Sequence, residues 1–69
     1  MATIRNEIRR LRFEHGEMTQ QQLAGRIGLT RQTVNAIEQG KYSPSLEAAF
    51  KIAGVFGLPL ESVFHYEGG

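Results

Sequence analysis

The segment Thr19-Gln20-Gln21-Gln22-Leu23-Ala24-Gly25-Arg26-Ile27-Gly28-Leu29-Thr30-Arg31-Gln32-Thr33-Val34-Asn35-Ala36-Ile37-Glu38-Gln39-Gly40-Lys41 decides how this chain folds. Thr19-Gln20-Gln21-Gln22 has the spacing of a capping box, so a helix opens at Thr19 and turns Leu23, Ala24 and Ile27 inward. Gly28 suits the left-handed conformation that ends a helix. Thr30 then caps a second helix with Val34 and Ile37 on its inner side, and Gly40 closes it. Only Gly28, Leu29 and Thr30 separate the two, too few residues for them to lie antiparallel. A Gly-containing turn of about three or four residues sets such helices at roughly 90–120°. The small Ala24 permits a close crossing, and Ile27, Leu29, Val34 and Ile37 lock it.

The same punctuation continues on both sides. Upstream, Ile4, Ile8 and Leu11 recur at helical spacing, with Thr3 placed as the N-cap and Gly16 as the stop. Downstream, Lys41-Tyr42-Ser43-Pro44-Ser45 is a turn with proline near the start of the next helix. That helix carries Leu46, Ala49, Phe50, Ala53 and Phe56, with Phe50 and Phe56 assigned to the core. Gly57 and Pro59 break it. A last short helix runs from about Leu60 to Phe64, and the tail His65–Gly69 is either extended or frayed. The expectation is an all-α domain of five short helices over residues 1–69, its central motif at about 19–40.

Sixty-nine residues and 7.7 kDa leave room for one small domain. With 41% hydrophobic and 22% charged residues the composition is that of an ordinary globule. There is no apolar run long enough for a bilayer and no signal-peptide h-region, so a soluble, cytoplasmic protein without membrane contact is expected. Cysteine and aspartate are both absent, and the only histidines are His15 and His65. A catalytic triad therefore lacks its aspartate, and no Gly-rich phosphate loop is present. No enzyme, metal, cofactor or small-molecule effector site is expected. His15, near a helix C-terminus, reads as a surface cation; His65 and Tyr66 read as an interface edge or a frayed tail.

Net charge is +1, but residues 1–41 hold seven Arg or Lys against four Glu (+3), and residues 42–69 hold one Lys against three Glu (−2). A basic N-terminal part fits a polyanionic partner, although solvated helix surfaces account for it equally well. The helix after Thr30 is more informative. Its outward side carries Arg31, Gln32, Thr33, Asn35 and Ala36, with no Glu until Glu38. Arg matches guanine edges, and Gln or Asn matches adenine, in the major groove of DNA. Arg5, Arg9 and Arg10 are within reach of phosphates, but a solvated face is the preferred reading.

At this point the chain resembles the Cro and phage-repressor type of helix-turn-helix family, often called Xre-type. The resemblance is carried by Thr19–Ala24, Gly28–Val34 and Ile37–Lys41, then by Pro44-Ser45-Leu46-Glu47, Lys51-Ile52-Ala53 and Leu58–Phe64. It implies a five-helix, lambda-repressor-like DNA-binding domain, in some members with a short extended C-terminal tail that pairs as a small β-ribbon, that represses transcription as a homodimer on a pseudo-palindromic operator. It implies base reading by Arg31, Gln32 and Asn35, and backbone contacts from Thr19, Gln20, Thr33, Lys41 and Tyr42. It further implies a salt bridge between Arg12 and Glu38, and a dimer interface at Leu60 and Val63 with Ser43 at its edge. The competing function is a protein-interaction module, such as an antitoxin or coactivator subunit; that role favours an apolar face where Arg31, Gln32 and Asn35 stand.

Overall fold

A strand opens the chain where the sequence reads as helix. The computed structural model describes residues 3–68. Its elements are β1 (Thr3–Asn6), α1 (Ile8–Glu14), α2 (Gln20–Ile27), α3 (Arg31–Glu38), α4 (Leu46–Phe56), α5 (Leu60–Val63) and β2 (Phe64–Glu67). The five expected helices are present, but Thr3 caps none of them. Asn6 stops the helix from extending backwards, because its Oδ1 accepts from the backbone N–H of Ile8 at 3.2 Å, a local turn bond. The residues before it pair instead with the C-terminal segment.

β1 and β2 form an antiparallel ribbon in the register Thr3↔Glu67, Ile4↔Tyr66, Arg5↔His65 and Asn6↔Phe64. The backbone N–H of Glu7 donates to the Val63 carbonyl at 2.9 Å and prolongs the ladder by one bond. The domain is thus mostly helical rather than wholly so. Of the tail, His65–Glu67 is extended and paired, and Gly69 lies outside the described residues.

The helix ends follow local chemistry. Thr19 accepts from the Gln22 N–H at 3.0 Å, and its own N–H donates to Gln22 Oε1 at 2.8 Å, completing the capping box. Gly28 ends α2 with φ +74°. His15 ends α1, its Nδ1 donating to the Leu11 carbonyl at 2.9 Å, with its ring edge-on to Phe56. Inside lies one cluster built from Ile8, Leu11, Met18, Leu23, Ala24, Ile27, Val34, Ile37, Ile52, Ala53, Phe56 and Val63.

Two assignments change here. Phe50 is 57% exposed and Leu46 67% exposed, so neither is core. α4 is apolar on nearly every side, and its inner face is Ala48, Ala49, Ile52, Ala53 and Phe56. Periodicity cannot choose between two apolar faces; contact with α2 and α5 does. Val63 is fully buried against the central cluster and cannot belong to a dimer interface. On so short a helix one residue points inward, and Leu60 remains half-buried.

One polar group crosses this core. The Arg12 side chain is only 10% exposed, and its guanidinium grips Glu38 twice, Nε to Oε2 at 2.6 Å and Nη2 to Oε1 at 2.9 Å. Its Nη1 donates to the Met18 carbonyl at 2.8 Å. The fork therefore joins α1, the loop before α2, and α3.

Removing one partner strands a buried charge, which typically costs ~3–5 kcal/mol. Arg12→Met should therefore leave the domain largely unfolded by circular dichroism, while Arg12→Met combined with Glu38→Leu should recover most of the urea midpoint. At Gly28 an added Cβ meets nothing within 4 Å, so only backbone strain is tested. Gly28→Ala should cost ~1–2 kcal/mol in urea unfolding, and Gly28→Asn less, since Asn tolerates the left-handed region.

Candidate nucleic-acid interface

α3 presents two kinds of side chain to solvent. Arg31 and Gln32, in its first turn, are exposed, and neither forms a hydrogen bond or ion pair with the described residues. They are held out by what lies behind them, since Val34 and Ile37 anchor the opposite face in the core. Thr30 caps the helix by accepting from the Thr33 N–H at 3.1 Å. Its hydroxyl also meets that of Thr33 at 2.9 Å. Thr33 is thus tied to the cap, with two further hydrogen-bonding positions of its hydroxyl open among the described residues.

Asn35 is different. It is half-buried, and its Oδ1 accepts from Gln20 Nε2 at 3.1 Å and from Gln39 Nε2 at 3.2 Å. Gln20 Nε2 also donates to Glu38 Oε1 at 3.2 Å. The network runs from Arg12 through Glu38 and Gln20 to Asn35 and Gln39. Both N–H donors of the Gln20 side chain are engaged within it, so neither is free for an outside partner. The Nδ2 group of Asn35 makes no hydrogen bond among the described residues. Sequence reading missed Gln39; its signal was the four-residue spacing from Asn35, which puts both on one side of α3.

The C-terminal end of α3 positions the basic loop. Gly40 adopts φ +74°, its N–H donates to the Ile37 carbonyl at 3.0 Å, and the Lys41 N–H donates to the Ala36 carbonyl at 2.9 Å. This paired closure folds Lys41 back against the helix it follows. Tyr42 beside it is exposed. From the ribbon, Asn6 Nδ2 donates to the same Ile37 carbonyl at 2.9 Å, so β1 braces this end of α3. Of the expected interface residues, Ser43 is exposed at the rim of a small cleft with Ile4, Tyr42, Pro44 and Phe64.

Charge is distributed unevenly. Arg5 pairs with Glu67 at 3.4 Å, Lys51 with Glu47 at 3.0 Å, and Arg10 with both Glu7 and Glu14 at 3.2 and 2.9 Å. The Arg10 hydrogen bond holds the Glu7 carboxyl below its ordinary range. Arg31 and Lys41 have no carboxylate within 4 Å among the described residues, and Glu38, the acid of α3, is neutralised by Arg12. The face carrying α3 is therefore cationic where it is exposed. No helix is long and apolar enough to cross a membrane.

Comparison with known proteins agrees with this geometry. A helix-turn-helix family profile matches residues 8–63. An uncharacterized HTH-type transcriptional regulator of Methanocaldococcus jannaschii is 48% identical over 64 residues, covering 93% of this chain and 96% of that protein. A cryptic phage CTXphi transcriptional repressor of Vibrio cholerae is 38% identical over 55 residues, 80% of this chain and 49% of that protein. A solved Bacteroides fragilis structure matches with a TM-score of 0.78 at 22% identity, covering 90% of this chain and 98% of that one, a likeness of fold. The chain belongs to the helix-turn-helix family of the Cro and phage-repressor (Xre) type and is one of its HTH-type, DNA-binding transcriptional regulators.

Proposed function

We propose that this regulator is a repressor that binds a pseudo-palindromic operator as a homodimer, with α3 in the major groove. The observation that carries the reading is the pair Arg31 and Gln32, exposed and without a side-chain partner among the described residues, on a helix whose other face is locked in the core. Side chains free of internal bonds can match base edges without breaking anything first. Asn35 contributes through its remaining donor and mainly organises Gln20 and Gln39. Thr19, Gln20, Thr33, Lys41 and Tyr42 meet the backbone, Gln20 through its main chain, and so set the register in which bases are read. Repression is supported by the name of the Vibrio cholerae relative.

The dimer follows from size and surface. One domain of this size makes few base contacts, and two-fold readers of this type address half-sites roughly 34–36 Å apart. An apolar groove of about 290 Å³ runs between Ile4, Pro44, Leu46, Ala49, Leu60 and Phe64. It adjoins the loop after α3, with Ser43 next to Pro44 at its rim. Two copies related by a two-fold axis would cover one another's groove. Leu60 and Ser43 keep their assigned places, and Ile4 and Leu46 take that of Val63.

Selection of bound fragments from random DNA tests the whole reading, because it returns binding, sequence and half-site spacing together. On the recovered operator, Arg31→Ala and Gln32→Ala should each relax selectivity at particular base pairs and cost ~1–3 kcal/mol. Lys41→Ala should weaken all sequences alike and reduce the salt slope by about 0.9. Leu46→Glu with Leu60→Glu should sediment as a helical monomer with greatly weakened operator binding; a double variant that stays dimeric puts the interface elsewhere.

A further inference from the structure

One cation on α1 stands apart from its neighbours. Arg5, Arg10 and Arg12 each have a carboxylate partner, whereas Arg9 is exposed and has none within 4 Å among the described residues. Its guanidinium carbon lies 5.9 Å from the centroid of the Phe13 ring, one turn further along α1. Phe13 is 53% exposed, and Arg12 approaches the same ring at 5.8 Å. The ring is therefore not filling the core; it forms a platform at the surface.

The location gives the platform a use. Arg9 and Phe13 share a groove of about 360 Å³ with Gln20, Asn35 and Gln39. Its opposite wall is thus the reading helix and the first turn of α2. The groove's acid, Glu38, is held by Arg12, so the field at its rim is set by Arg9. An arginine lying on an aromatic ring keeps its edge N–H donors free while its flexible stem is steadied. Free donors on a steadied cation suit a phosphate oxygen.

We propose that Arg9, steadied by Phe13, is a DNA-backbone contact on α1 that extends each half-site by one phosphate beyond those met by α2 and the Lys41 loop. The proposal rests on the DNA reading above. Arg9 contacts the phosphate, and Phe13 is a positioning residue. The contact carries no sequence information.

The test uses the full chain and the operator fragment recovered by selection, with affinity measured across a salt series and phosphate ethylation interference mapped on both strands. Arg9→Ala should weaken every sequence alike, flatten the log–log salt slope by about 0.9 per half-site, and abolish interference at one outer phosphate. Arg9→Gln, a close match in length and polarity, should do the same, while Arg9→Lys should retain most of the slope. Arg26→Ala, which removes a cation of α2 that lies outside this groove and has no carboxylate within 4 Å among the described residues, should change neither. Phe13→Ala should weaken binding, and add nothing further in the Arg9→Ala background, since the two act as a unit. An unchanged slope and interference pattern in both Arg9→Ala and Arg9→Gln overturns the contact; altered base selectivity does so too. A full Phe13→Ala loss persisting without Arg9 overturns the positioning role. Wild-type protein that selects no DNA at all instead overturns the repressor reading, so the two failures are distinguishable.

Discussion

The Arg12–Glu38 pair is the constraint on which the rest of the domain depends. An isolated helix of eight residues is unstable in water, so α3 must be fixed from outside. Val34 and Ile37 supply apolar anchorage, which is non-directional. The guanidinium fork supplies direction: two bonds to one carboxylate and a third to the Met18 carbonyl define both the distance and the rotation between α1 and α3. Through Glu38 and Gln20 the same fork reaches α2.

The pair also matters electrostatically. A bare carboxylate on α3 would repel the phosphates that flank a major groove. With Arg12 beside it, Glu38 adds no net charge, and Arg31 and Lys41 set the field. The same bond that orients α3 thus makes its acid compatible with a polyanion. Other cations, Arg5, Arg10 and Lys51, sit in pairs near the surface and contribute little to that field.

What could be read from sequence was whatever is decided within a few residues. The caps at Thr19 and Thr30 and the turns at Gly28 and Gly40 depend on local hydrogen bonds and on φ, so residue type and spacing reveal them. The exposure of Arg31 and Gln32 followed once Val34 and Ile37 were placed inside. The N-terminal strand of the ribbon did not: Thr3–Asn6 is too short to show an alternation, and its partner lies at the other end of the chain. The inner face of α4 was hidden by apolar residues on two sides, which placed Phe50 in the core wrongly. Val63 was misplaced because a helix of four residues has no periodicity to read. The Gln20–Asn35 bond was equally hidden, since it forms only where α2 and α3 cross.

The contrast between Arg31 and Gln32 on one side and Asn35 on the other has a consequence for descent. The first two touch no other side chain through a polar bond, so a lineage can exchange them one at a time while the scaffold stays put. On the proposed reading, each exchange offers a new operator preference without a folding penalty. Asn35 holds two amides at once, and altering it disturbs Gln20, Gln39 and, through them, Glu38. Drift in the DNA code of such regulators should therefore begin in the first turn of α3 and reach Asn35 only in company with its neighbours.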